Sequence, residues 1–159
     1  MENRSFKTRV AFLIGRVGPV GLIPVAPGTM GAIVGAVMAI FSWRLGFPFY
    51  FAILSIVVFA GTWAAEIIEK ETKIHDDRKV VIDEVAGMML TLSLWENPGL
   101  LVTIIAFFLF RLFDILKPWP ISVIDRRVGG GIGCMADDIA AGFLCLLILM
   151  IFHSFWGGK

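Results

Sequence analysis

Residues 80–95 read VVIDEVAGMMLTLSLW. The run is apolar enough for a membrane helix, yet Asp83 and Glu84 stand side by side within it. A carboxylate in the hydrocarbon costs about 2.5–3.5 kcal/mol on the insertion scale, so an adjacent pair does not face lipid without a reason. Acids near a helix N-terminus are favoured by the macrodipole in any case. Here the apolar residues begin before the acids, which favours a polar site over a plain helix start. The stretch sets the fold class: an all-α, polytopic membrane protein whose helices shelter charged side chains.

Outward from this segment, three further stretches read as membrane helices. Thr29–Trp43 is slightly short, and Gly31 and Gly35 give it a small-residue face for close helix contact. Phe47–Ala65 has 19 residues and no charge. Gly99–Leu116 carries Arg111 and Asp114 near its end. A last apolar stretch, Ile139–Trp156, follows Asp137 and Asp138 directly. Val10–Val25 is broken by glycines and prolines and reads as interfacial or re-entrant. The expectation is four to five membrane helices in one domain, residues 1–159. The breaks Leu45-Gly46-Phe47-Pro48 and Glu96-Asn97-Pro98-Gly99 are short turns that make neighbouring helices antiparallel. Trp43, Trp95 and Trp156 fall at span ends on one side, where an aromatic belt would lie.

Composition agrees. Of 159 residues 58% are hydrophobic, about 69% once the 17 glycines are counted, against roughly 45–50% in soluble domains. Charged residues are 17% and mean hydropathy is +0.86. These values exclude an ordinary soluble enzyme and a disordered chain. A net charge of +1 leaves no footprint for nucleic acid, and none is expected as a partner. Cys134 and Cys145 show no metal spacing and read as reduced packing residues. No cleavable leader is read at the N-terminus.

With the N-terminus in the cytoplasm, 12 of the 14 Lys and Arg residues fall on the inner side, a strong positive-inside bias. Twelve of the 13 acids fall there too. Acids are not sorted by topology in this way, so their gathering at one membrane face marks a site.

Four segments feed that plane. APGTMG, Ala26–Gly31, places Thr29 at a helix start, either as a phosphate contact or as a plain N-cap. KIHDDRKVVIDEVAG, Lys73–Gly87, carries Asp83 and Glu84, with His75 more plausibly a solvated loop residue. FRLFDILKPWPI, Phe110–Ile121, sets Arg111, Asp114 and Lys117 along one helix face, and Pro118 stops that helix. GGGIGCMADDIAAG, Gly129–Gly142, reads as a flexible glycine loop followed by Asp137 and Asp138 opening the last helix. Arg126 and Arg127, just before it, suit phosphate or anionic headgroups.

Hard oxygen ligands without Cys/His spacing suit Mg²⁺. Carboxylates beside Arg111 and Lys117, which can hold phosphate oxygens, suit phosphoryl transfer or phosphate-ester hydrolysis. The sequence lacks Cys-x5-Arg, D-x-D-x-T, paired histidines and the spaced aspartates of CDP-alcohol phosphotransferases. The other reading is a cation channel or transporter with a carboxylate-lined path. It would need polar residues through the bilayer centre and at both mouths.

In this order APGTMG, HDDRKVVIDEVAG, FRLFDILKPWPI and MADDIAAG resemble the phosphatidylglycerophosphatase A family, over nearly the whole chain. The resemblance implies a Mg²⁺-dependent hydrolase that converts phosphatidylglycerophosphate into phosphatidylglycerol and phosphate. It also implies a multi-pass location in the bacterial inner (cytoplasmic) membrane, among membrane lipids, with the active site facing the cytoplasm. The family's polar residues fall on Thr29, Asp76, Asp83, Glu84, Asp114, Lys117, Asp137 and Asp138. Relatives with H-D-P differ from His75-Asp76-Asp77 here, which leaves the turn after Asp76 open. Asp83, Glu84, Asp114 and Lys117 are the expected catalytic residues. Asp76, Asp83, Glu84, Asp114, Asp137 and Asp138 are the expected metal ligands, and Thr29, Arg111 and Lys117 the expected phosphate contacts. The expected chemistry is in-line attack by metal-bound water, with an aspartyl-phosphate as the open alternative.

Overall fold

The computed structural model describes residues 5–75 and 77–156. Among these residues the chain forms seven α-helices and no strand. They are α1 (Phe6–Gly15), α2 (Pro27–Trp43), α3 (Phe47–Thr72), α4 (Ile82–Thr91), α5 (Leu100–Leu116), α6 (Ile121–Arg127) and α7 (Gly130–Trp156).

Local chemistry sets the ends. Ser5 caps α1 by accepting the Thr8 N–H. Beyond α1 the left-handed residues Val17 and Gly18 turn the chain into a single 3₁₀ turn, Val20–Leu22. The broken Val10–Val25 stretch is thus a short helix and a turn. Pro27 is the first residue of α2, where its missing N–H costs nothing. α5 ends on Lys117, in the left-handed region, ahead of Pro118, as the sequence requires.

α3 and α7, with 26 and 27 residues, are long and apolar enough to cross a membrane. α2 and α5 have 17 residues each, about 26 Å against a hydrocarbon core of about 30 Å. Their outer faces are apolar: Phe41 of α2 is 56% and Phe108 of α5 67% exposed.

The expected span at residues 80–95 is corrected. α4 has only 10 residues, about 15 Å, half the hydrocarbon thickness. It is the central helix, with Val85, Ala86, Met88 and Met89 fully buried. A buried helix end leaves carbonyls unpaired. Tyr50 of α3 donates its hydroxyl to the Met89 carbonyl at 2.5 Å, and Trp43 of α2 donates Nε1 to that of Leu92 at 3.3 Å. Trp43 is therefore a buried capping donor stacked on Tyr50, not part of an interfacial belt.

Glycines let the helix backbones touch. A Cβ on Gly31 or Gly35 of α2 would lie 2.8 or 2.7 Å from the carbonyl oxygens of Val81 and Val85. These residues form the small-residue face expected from the sequence. A Cβ on Gly142 of α7 would overlap the Gly87 carbonyl of α4, four residues after Asp138. Gly142→Ala is expected to destabilise the fold by about 1–3 kcal/mol, because the obstructing atom is backbone. Gly99→Ala, where a Cβ meets nothing within 4 Å, serves as control. Thermal unfolding midpoints in detergent check the pair.

The last helix starts earlier than expected. From Gly130 on, the glycine run belongs to α7 and is not a loop, because a bare Gly131 can lie against the Thr62 carbonyl of α3. Glu66 then accepts the Gly131 N–H at 2.7 Å and serves an N-terminal amide of the helix. Asp137 and Asp138 consequently sit two turns inside α7 and do not cap it.

Candidate active site

The first turn of α4, the last turns of α5 and the third turn of α7 converge beside the start of α2. They enclose a cavity of about 870 Å³. Asp83, Glu84, Arg111, Asp114, Lys117, Asp137 and Asp138 all line it. The expected residues from three separate helices thus meet in one place.

Carboxylate oxygens of Asp83, Glu84 and Asp138 lie within 4.8 Å of one another. Asp83 and Asp138 are buried. At that separation two like charges repel by about 3 kcal/mol per pair at an effective dielectric of about 20. Burial removes the water that would soften this. Glu84 Oε2 and Asp138 Oδ2 are buried without a hydrogen-bond partner among the described residues. Three hard oxygen donors at this spacing, two with orphaned atoms, fit a divalent cation such as Mg²⁺. Asp83 is oriented: one oxygen accepts the Glu84 N–H at 3.0 Å and the other the Cys134 thiol at 3.1 Å. Cys134 therefore lies within α7 and touches the cluster, which its reading as a packing residue missed.

The cations are held by acids. Arg111 is bonded to Asp114 and lies 3.7 Å from Glu84. Lys117 donates to Asp125, and to Asp137 at 2.6 Å. Burial works against the Lys117 charge, but hydrogen bonds to Asp125 and Asp137 overcome it and hold the ammonium above its usual range. Gly28 admits the start of α2 onto the carboxylate of Glu84, where a Cβ would overlap Oε1.

Thr29 is the third residue of α2 and makes no capping bond. It lines a neighbouring groove with Arg111, outside the main cavity. Asp76 lies outside the described residues. His75 is exposed, with Nδ1 3.1 Å from Glu69 Oε1, and is not part of the cavity lining. Arg126 is exposed and donates Nε to the Ser122 carbonyl. Sequence reasoning missed Asp125, which the turn at Pro118 and Pro120 folds back onto Lys117. It also missed Arg78 and Lys79, exposed residues of the cavity wall. They stand directly before Val80, where the sequence counts them only among the cations of the inner side.

The phosphatidylglycerophosphatase A family model matches residues 13–153. Phosphatidylglycerophosphatase A of Escherichia coli (strain K12) is 34% identical over 140 residues, 86% of this chain and 79% of that protein. The protein of the same name from Haemophilus influenzae is 30% identical, over 81% of this chain and 80% of its own length. A Bacteroides thetaiotaomicron protein provisionally named phosphatidylinositol-3-phosphatase is 34% identical, over 95% of this chain and 96% of its own. No solved structure matches at a significant level. The chain belongs to the phosphatidylglycerophosphatase A family.

Proposed function

We propose that this protein hydrolyses the terminal phosphomonoester of phosphatidylglycerophosphate to phosphatidylglycerol and phosphate, using Mg²⁺. The observation that carries the reading is the meeting of Asp83, Glu84 and Asp138 in a cavity that also presents Arg111 and Lys117. Asp83, Glu84 and Asp138 would hold Mg²⁺, which supplies Lewis-acid neutralisation of phosphate charge. Arg111, fixed by Asp114, and Lys117, fixed by Asp125 and Asp137, orient the phosphate oxygens and offset charge developing on them. Their pre-paired geometry limits reorganisation during the reaction. Asp114 and Asp137 also line the cavity, where they act through the cations that they hold in place. Arg78 and Lys79 draw the anionic headgroup inward.

The protein is read as multi-pass in the bacterial cytoplasmic membrane, with this cavity at the inner face. Support comes from Arg78, Lys79, Arg111 and Lys117, which line the cavity itself, since basic residues mark the cytoplasmic side. A conduction path is disfavoured, because α4 continues from its charged first turn into fully buried apolar residues.

The Bacteroides relative raises a second substrate, phosphatidylinositol 3-phosphate, also a lipid phosphomonoester. Phosphate release from both lipids, by the full chain in nonionic detergent with Mg²⁺, decides. Faster turnover of phosphatidylglycerophosphate is the expected result. A preference for the inositol lipid would reassign the substrate, and release from neither would remove the hydrolase reading.

A further inference from the structure

Beside the polar cavity, α2 and α5 leave a second recess of about 370 Å³. Its walls include Thr29, Phe108, Arg111, Leu112 and Ile115. Arg111 and Ile115 line both spaces, so the groove runs directly out of the site. Apart from Thr29 and Arg111 its wall is apolar. Leu112 and Ile115 are 50% and 69% exposed, an apolar track that starts where the guanidinium ends. A phosphomonoester held by Arg111 must lead its attached group outward, and this wall offers it an apolar surface that continues beyond the cavity. Other apolar residues of the cavity, Leu22, Ile23 and Pro24 at and after the 3₁₀ turn, share its lining with the cations Arg78 and Lys79.

We infer that the α2–α5 groove binds the acyl chains of the lipid substrate and so sets the enzyme's preference for long-chain phosphomonoesters. The inference rests on the hydrolase reading above. Thr29 marks the polar end of the track, beside Arg111, where the glycerol ester region would lie. Bulk lipid elsewhere on the surface would show no such continuity with the site.

The test compares the full chain with Leu112→Trp, which fills the groove, and Ile56→Trp, on the exposed outer face of α3. Each is assayed in nonionic micelles on long-chain and dibutyryl phosphatidylglycerophosphate. Leu112→Trp is expected to lower the long-chain to short-chain ratio of kcat/KM by about tenfold, the scale on which apolar pockets discriminate. Ile56→Trp should leave the ratio unmoved. A long-chain substrate bearing a diazirine in its acyl chain should cross-link to the Phe108–Leu112 segment of the unmutated protein. That readout holds even if the variant fails to fold. An unmoved ratio, an equal shift from Ile56→Trp, or label on α3, on α7 or excluded by a second copy would overturn the groove. No phosphate release by the unmutated protein from either lipid would instead mark failure of the hydrolase reading.

Discussion

Asp83→Asn and Asp138→Asn should each lower turnover of phosphatidylglycerophosphate by more than about 100-fold, roughly 2.7 kcal/mol of transition-state stabilisation. Each keeps the side chain's size and removes a charge from the group whose oxygens lie within 4.8 Å. The fold should survive, because neutralising one of three crowded acids relieves repulsion. Asp114→Asn is expected to fall between these variants and the unmutated chain, since its carboxylate acts through Arg111. Rates measured beside far-UV dichroism and gel-filtration profiles separate lost chemistry from lost structure. Near-normal turnover in Asp83→Asn and Asp138→Asn would leave the acids as structural residues.

Chelation should have the other large effect. EDTA is expected to bring phosphate release to background, and excess Mg²⁺ to restore it. Ca²⁺, larger and looser in its geometry, should restore little. A readout independent of turnover follows from linkage. An ion that binds only the folded state stabilises it by about 2.7 kcal/mol at 100 times its dissociation constant. Mg²⁺ should therefore raise the unfolding temperature of the unmutated protein, and raise it much less in Asp138→Asn. Full activity in EDTA, with no thermal shift, would remove the metal from the reading.

Much of this site was legible because charge in an apolar run is costly wherever the run lies. Asp83, Glu84 and Asp114 stand out for that reason, and Asp137 and Asp138 because a pair of acids at the start of an apolar helix is more than a cap needs. Arg78 and Lys79 do not, since a cation at a span end is already explained by topology. Asp125 was hidden because its partner Lys117 lies across a proline turn whose direction no spacing encodes.

By itself, the sequence determined the helical membrane class, the residues that end α2 and α5, the close-packing glycines of α2, and the chemical character of the site. Each follows from a local cost: apolar surface in water, an amide that proline lacks, a carboxylate among hydrocarbon. Only the tertiary structure decided that α4 is a short buried helix and not a span, because its terminal carbonyls depend on Tyr50 and Trp43 from other helices. It alone decided that the glycine run from Gly130 on belongs to α7, because the groups that receive it, Thr62 and Glu66, lie on α3. It also decided which acids share one point and which clamp the cations. Such choices are made by contacts between residues far apart in the chain, and local costs do not specify them.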